Sequence, residues 1–227
     1  MHRLFLILVL VLSALLQFQA RADDFEKNIM TGGPQGTYIQ IGRDIAGLGD
    51  SCGLRLNVVE SAGSLENFIG VRQKRNTQFG IVQSDVLEYL RTYEKNDPEV
   101  QQAVRGVRIM FPLYNEEVHL LARKEITSAR ELAGRKVAIG VKDSGTFLTA
   151  SLILDILRVR DAERLAIGPA ESLQQLLEGK IDAFFYVAGV PAALFDTPNI
   201  DGDRFLLVPL AEEALEATSI PATIAAG

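Results

Sequence analysis

The stretch MTGGPQGTY at residues 30–38 follows a short apolar run and precedes a run of amphipathic, helical character. A second stretch, IGVKDSGT at residues 139–146, has the same surroundings. The first backbone N–H groups of a helix have no intrahelical partner and carry a partial positive charge. Each turn should therefore present donors and hydroxyl groups to one point in space, as anion sites do. The two turns predict two lobes that close on one small anion.

Strand-like and helix-like segments alternate outward from these turns. The predicted strands are residues 27–31, 54–60, 78–83, 107–112, 118–123, 136–140, 164–167, 182–187 and 205–208. The predicted helices are residues 37–48, 64–74, 84–93, 128–132, 146–158, 172–178 and 211–217. Strands separated by helices predict parallel βαβ units with helices on both faces. We therefore expect an α/β fold of two similar lobes, at residues 23–112 and 113–208, that cross near residues 112–116.

The first 22 residues have the pattern of a secretory signal. Arg3 is followed by an apolar run over residues 4–16, and Ala20-Arg21-Ala22 has the small-x-small pattern of a cleavage site. A membrane anchor is the alternative, but the run is shorter than the roughly 20 residues that a spanning helix needs. We therefore expect cleavage after Ala22 and an exported, soluble protein.

Charge and cysteine content narrow the possible partners. The whole chain carries a net charge of −6, and removal of Arg3 and Arg21 with the signal leaves −8 (−6 minus 2). An acidic chain is poorly suited to bind nucleic acid or an anionic membrane surface. The single cysteine, Cys52, has no intramolecular partner for a disulfide, and we expect it to fill a turn or a core edge.

The chain lacks the patterns of common enzymes and metal sites. His119 is the only histidine outside the predicted signal, and we interpret it as a strand-face or hinge residue rather than a base. Residues 140–146 are similar to a nucleotide phosphate loop, but Thr146 stands where that motif has its lysine. Adjacent strand residues point to opposite faces, so we interpret Glu116 and Glu117 as solvated charge. We expect no catalytic residue, no metal and no cofactor.

Four polar turns follow predicted strands. They contain Gly36-Thr37-Tyr38, then Ser61-Ala62-Gly63-Ser64, then Gln83-Ser84-Asp85, and finally Ser144-Gly145-Thr146. Ligands of open parallel sheets bind at the carboxyl ends of the strands, so these turns are candidates for one shared site. Taken singly, Ser64, Ser84 and Thr146 fit ordinary helix caps, and Asp85 fits a first-turn acid favoured by the helix dipole. Their recurrence at one edge of both lobes favours a ligand site.

Seven motifs in order resemble those of the TAXI-type solute receptors of tripartite ATP-independent periplasmic (TRAP) transporters. They are TGGPQGTY at residues 31–38, AGSLEN at 62–67, IVQSD at 81–85, LAGRKV at 132–137, DSGT at 143–146, GKIDA at 179–183 and VAGVP at 187–191. Order and spacing hold from residue 29 to about residue 191. Together with the other motifs, IVQSD is fairly specific to this family, whereas a single glycine turn is not.

This resemblance implies a two-lobed type II periplasmic-binding-protein fold. It implies a periplasmic receptor that carries a small organic anion, a dicarboxylate or an amino acid such as glutamate, to a TRAP membrane permease driven by an ion gradient. The matching positions place the ligand at Thr37, Tyr38, Gly63, Ser64, Gln83, Ser84, Ser144, Gly145 and Thr146.

Three departures from the family pattern mark where this chain could differ. Pro34-Gln35 stands in the first turn where small residues are common, and Asp143 places a negative charge beside the second turn. Relatives usually continue beyond a segment equivalent to residues 209–227, which we expect to be the start of a return to lobe 1.

Two rival functions share the fold: a periplasmic ligand sensor that feeds a signalling partner, and an enzyme that would depend on His119.

Overall fold

The computed structural model describes residues 27–34 and 36–216. The predicted signal, its cleavage site and residues 217–227 lie outside these ranges, as does Gln35. Within them the chain forms two separate sheets with helices, as the alternating pattern predicted. No helix in the described ranges has both the length and the apolar character needed to cross a bilayer.

The first sheet is short and wholly parallel. It contains β1 (Lys27–Met30), β2 (Leu56–Val59) and β3 (Thr77–Gly80) in the order β2-β1-β3. Helix α1 (Thr37–Ser51) connects β1 to β2, and α2 (Ser64–Gln73) connects β2 to β3. Parallel neighbours need such crossover connections, so this half confirms the predicted βαβ units.

Two further helices follow the first sheet. Helix α3 (Val86–Tyr93) was predicted, but α4 (Pro98–Gly106) was not. Asp97 caps α4 by accepting hydrogen bonds from the N–H groups of Glu99 and Val100, and Pro98 occupies the first turn. An Asp-Pro pair before a helical run is a recognised start signal, so the sequence contained the information that was overlooked.

The second sheet is larger and mixed. It contains β4 (Glu117–Arg123), β5 (Lys136–Ala138), β6 (Glu163–Leu165), β7 (Ala183–Ala188) and β8 (Phe205–Leu207) in the order β6-β5-β7-β4-β8. Strands β6, β5 and β7 are parallel, whereas β4 runs antiparallel to both β7 and β8. Helices α5 (Gly145–Ile156) and α6 (Pro169–Leu177) accompany it. The two halves are therefore less similar than predicted.

Three predicted elements differ from the structure. Residues 107–112 form no strand: Ile109 is 78% exposed and Met110 is 71% exposed, and within the described ranges the segment pairs with no other strand. An apolar run becomes a strand only where another strand accepts its hydrogen bonds. The predicted helices at 128–132 and 211–217 are short 3₁₀ turns over Ala129–Leu132 and Glu213–Leu215, and residue 217 lies outside the described ranges.

The second sheet is buried on both faces, because successive strand residues point to opposite sides. Leu120 and Phe185 pack toward α5, whereas Leu121 and Phe184 pack toward α6.

Helix α5 also joins the two halves of the molecule. Its Leu148 and Leu152 pack in a cluster with Leu65 and Phe68 of α2 and with Leu90 of α3. The two halves of the molecule therefore meet where α5 packs against α2 and α3. The division at residues 112 and 113 stays a prediction.

Candidate functional site

The two sheets bring the glycine turns of α2 and α5 into direct contact. A Cβ added at Gly63 would lie 3.3 Å from Cα of Ser144 and 3.3 Å from N of Gly145. A Cβ added at Gly145 would overlap the side-chain oxygen of Gln83, at 1.5 Å. Both positions therefore need glycine, because the backbones approach more closely than a side chain permits.

Two tyrosine side chains, Tyr38 and Tyr114, meet on Glu116. The Tyr38 hydroxyl donates to Oε2 of Glu116 at 2.9 Å, and the Tyr114 hydroxyl donates to Oε1 at 2.9 Å. The two tyrosine rings lie edge to face with centroids 6.4 Å apart. The Tyr38 hydroxyl is also 3.2 Å from Oγ of Ser64. A carboxylate at the crossing between the sheets is thus tied to the start of α1.

The hydrogen bonds continue from Ser64 to α5. Ser64 Oγ accepts from the backbone N–H of Gln83 at 3.0 Å and lies 3.5 Å from its Oε1. The Gln83 amide donates to Thr149 at 3.4 Å, and the Thr149 hydroxyl donates to Oδ2 of Asp85 at 2.6 Å. The other carboxylate oxygen, Oδ1 of Asp85, is buried and has no partner in the described ranges.

We call this set of side chains the interlobe polar chain. Its members are Tyr114, Glu116, Tyr38, Ser64, Gln83, Thr149 and Asp85. It runs from the Tyr114 hydroxyl to the Asp85 carboxylate, contains the Glu116 carboxylate, and passes through both halves of the molecule. In the described ranges, no lysine, arginine or histidine nitrogen lies within 4.0 Å of either carboxylate.

Burial dominates the electrostatics of the polar chain. It raises the pKa of Glu116, where the negative charge of Asp85 acts in the same direction and the two phenol hydrogen bonds oppose it. It also raises the pKa of Asp85, against the Thr149 hydrogen bond. Burial and then Glu116 raise the pKa of Tyr38 well above its ordinary value, so its hydroxyl stays a donor.

The helix caps differ from the predicted ones. Taken singly, Ser64, Ser84 and Thr146 were interpreted as caps, and none of them caps its helix with its side chain. Ser64 accepts from Gln83 instead, Ser84 is exposed, and the Thr146 hydroxyl accepts from the backbone N–H of Val187 at 3.2 Å. The hydroxyls of Ser64 and Thr146 are used for contacts between segments that are distant in the chain, which local spacing does not reveal.

The start of α2 is capped from the other half of the molecule. The backbone carbonyl of Asp143 accepts from the N–H groups of Leu65 at 3.1 Å and Glu66 at 3.4 Å. Asp143 adopts a positive φ of 67°, which aims its carbonyl across the interface. Helix α5 uses its own Ser144, whose Oγ accepts from Phe147 N–H at 3.1 Å.

The first turn contributes less than predicted. Gly36 precedes α1 and supplies no side-chain cap. Thr37 lies beside Gly189, where an added Cβ would be 3.6 Å from its methyl group and 3.2 Å from the Tyr114 ring. Tyr38 is therefore the residue of this turn that reaches the other turns, and Thr37 lines the same corner.

Glu116 and Thr149 belong to the polar chain but were not predicted as site residues. Glu116 was interpreted as solvated, which is wrong, because it is partly buried between Tyr38 and Tyr114. Its spacing from Tyr114, two residues in an extended segment, indicates the same side. Thr149 was overlooked although it lies four residues after Gly145 in α5, on the face that meets Gln83.

His119 stands apart from the polar chain. It is buried in β4, and its Nδ1 lies 3.1 Å from the carbonyl oxygen of Tyr186. Burial lowers its pKa, and its ring packs near Phe195. This agrees with the interpretation as a strand-face residue. In the described ranges no group of three acidic, histidine or cysteine side chains could hold a metal ion.

Residues 29–221 match the family model described as the NMT1-like family. The chain belongs to the NMT1-like family. The structure of this chain is also similar to a chain solved for glutathione import via GshT and the cystine ABC importer TcyBC of Streptococcus mutans. That likeness has a TM-score of 0.55 at 13% identity, over 83% of this chain and 78% of that chain.

Two further structures show the same order of similarity. The periplasmic aliphatic sulphonate binding protein SsuA from Escherichia coli has a TM-score of 0.44 at 15% identity, over 70% of this chain and 53% of that chain. XAC2383 from Xanthomonas citri bound to ATP has a TM-score of 0.48 at 14% identity, over 82% and 72%. This chain has the α/β type II periplasmic-binding-protein fold, as predicted. The similarity to the Streptococcus mutans chain supports this fold assignment.

Proposed function

We propose that this NMT1-like protein is a periplasmic solute receptor that captures a small organic solute between its two halves and delivers it to a TRAP permease. The observation that carries the proposal is the meeting of four strand-end turns from two sheets in one hydrogen-bonded contact. Ligands of open α/β sheets bind at such strand ends. The motif resemblance to TAXI-type receptors supports the transport partner and the solute class, a dicarboxylate or an amino acid such as glutamate.

Ligand entry requires the two halves to separate, because the turns touch each other in this structure. Closure around a solute is then a hinge motion, and the permease recognises the closed form. The contacts that must open include the Asp143 carbonyl on α2 and the apolar packing of Leu148 and Leu152. The exposed segment 108–113 lies between the two halves and is the natural position for the hinge.

Isothermal titration of the chain from residue 23 onward with dicarboxylates and amino acids tests this proposal. We expect at least one solute to bind with a dissociation constant in or below the micromolar range. Absence of binding by every solute, in a sample shown to be folded by circular dichroism, would overturn it. Transport of the bound solute by vesicles containing the TRAP membrane subunits tests the partner separately.

A double variant tests the second turn. In Ser144→Ala/Thr146→Ala, each hydrogen bond lost to a charged ligand should cost about 1.5–3 kcal/mol of binding free energy. Ser128→Ala is the matched control, since Ser128 also caps a helical turn but lies in a different part of the second half. Equal affinity of the double variant and the control would remove the second turn from the site.

A further inference from the structure

The hydroxyl donors of the interlobe polar chain point toward the protein's own carboxylates. Tyr38 and Tyr114 donate to Glu116, and Thr149 donates to Asp85. A carboxylate group of a ligand needs donors, and these donors are already engaged. The carboxylate oxygens of Glu116 and Asp85 keep spare capacity, because each can accept more than one hydrogen bond.

The charges at this contact also favour a positively charged ligand group. Neither Glu116 nor Asp85 has a basic side chain within 4.0 Å in the described ranges. Oδ1 of Asp85 is buried without a partner there. Buried unpaired anions are unfavourable, and the closed form lacks the positive charge that would stabilise them.

Aromatic rings supply an independent observation. The rings of Tyr38 and Tyr114 meet edge to face beside Glu116, and Tyr186 is close enough for Glu116 to raise its pKa, although burial is the larger cause. The faces of tyrosine rings attract cations, ammonium groups among them. A carboxylate bordered by such rings suits an ammonium group better than a second carboxylate.

We propose that Glu116 selects the charge of the solute by accepting an ammonium group, so that the ligand is a small solute with a primary ammonium, such as an amino acid, rather than a nitrogen-free dicarboxylate. This inference rests on the proposed solute-receptor function. It narrows that function to one class of ligand and names the residue responsible. Oδ1 of Asp85, at the other end of the polar chain, adds to the same negative field.

Pairs of probes that differ in the ammonium group test the inference on the unaltered protein. We propose titrating L-glutamate against glutarate, L-leucine against 4-methylpentanoate, and 6-aminohexanoate against hexanoate. We expect an ammonium-bearing probe to bind and its counterpart without nitrogen to bind about a hundredfold more weakly, the loss typical of a charge-assisted contact. Equal binding of the two members of a pair would overturn the inference while the receptor function stands.

A variant then assigns the selection to Glu116. Glu116→Gln keeps an acceptor of the same size but removes the charge, and we expect the preference for the ammonium probe to fall about tenfold or more. Glu117→Gln is the matched control, because the neighbouring residue is not part of the polar chain. Unchanged preference in a folded Glu116→Gln variant would overturn the assignment. Binding of no probe in any pair by the folded wild-type protein would overturn the receptor function and this inference with it.

Discussion

The starts of α2 and α5 look alike in sequence but are completed in different ways. Each follows a glycine turn with serine, and each has a glycine at positive φ, 131° for Gly63 and 89° for Gly140. Helix α5 is capped by its own Ser144, three residues before the N–H group that it satisfies. Helix α2 is capped by the Asp143 carbonyl, from the other half of the molecule.

The α5 turn is therefore a local structure, whereas the α2 turn is part of the interface between the two halves. The α5 turn can form from its own residues, as capped helices do. The start of α2 is complete only when the two halves meet. Perturbations of the α2 turn should therefore report on closure, and those of the α5 turn mainly on local helix stability.

Replacement of Gly63 should have the largest effect. Gly63→Ala places a side chain at a φ of 131° that L residues rarely adopt, and its Cβ would lie 3.3 Å from backbone atoms of Ser144 and Gly145. We expect a loss of about 3 kcal/mol in the free energy of unfolding, measured by urea denaturation. Gly33→Ala is the control, because its Cβ would meet no atom within 4 Å. A similar, small effect in both variants would show that the contact between the turns is not needed.

The two serines should differ by about a factor of two. Ser64→Ala leaves the N–H group of buried Gln83 without its acceptor, and we expect a loss of about 2 kcal/mol in unfolding free energy. Ser144→Ala removes an ordinary helix cap, and we expect a loss of about 1 kcal/mol. Paired urea titrations measure both. The reverse order would contradict the distinction between an interface turn and a local turn.

Glu116 should make stability depend on pH. Its pKa is raised above the ordinary 4.5, chiefly by burial, so the unfolded chain loses this proton first as pH rises. The folded form then binds more protons, and stability falls from about pH 4.5 upward through the raised pKa. Relative to wild type, Glu116→Gln should therefore gain stability between pH 4 and pH 7 in thermal unfolding experiments.

Glu66 at the start of α2 is a control of opposite sign for that experiment. Burial acts to raise its pKa, but hydrogen bonds from the N–H group of Ala62 and from Lys74 lower it overall. The stability that the Glu66 carboxylate contributes is therefore present above about pH 4.5 and is lost as pH falls. Relative to wild type, Glu66→Gln should lose stability between pH 4 and pH 7. The same trend in both variants would refute the assignment of Glu116 as a buried carboxylate.

Lys74 should have the smallest effect. Its ion pair with Glu66 is exposed on both sides, with 47% and 34% of the side chains accessible. Exposed pairs of this kind contribute about 0.2–1 kcal/mol, so Lys74→Met should change the free energy of unfolding by about 0.5 kcal/mol. Urea denaturation at low and high salt measures it. A loss as large as that of Ser64→Ala would mean that the α2 start is held from its own side and not by Asp143.

The elements of the fold that are local were predictable from the sequence. The starts of α1 and α2 were predicted at Thr37 and Ser64, where the structure has them, because glycine turns and helical periodicity act over a few residues. Strand 107–112 was predicted from the same apolar signal and does not form. Whether such a run is a strand depends on a partner strand, which local pattern does not contain.

The candidate site was predictable only in part, for the same reason. The polar turns were identified because they follow strands, but their bonds to each other join residues far apart in the chain. Tyr38 and Glu116 are 78 residues apart, and Gln83 and Thr149 are 66 apart. Glu116 was interpreted from its sequence neighbour Glu117, and its solvent exposure was therefore predicted wrongly.

The sequence by itself determined the α/β class, the order of most elements and the glycine turns, because these follow from backbone freedom and side-chain periodicity within short windows. Tertiary structure alone decided that the second sheet is mixed, that Asp143 caps α2, and that Glu116 is shielded from water by two tyrosines. These features depend on which distant groups are brought together. Burial and hydrogen bonding at that contact then set the pKa of Glu116.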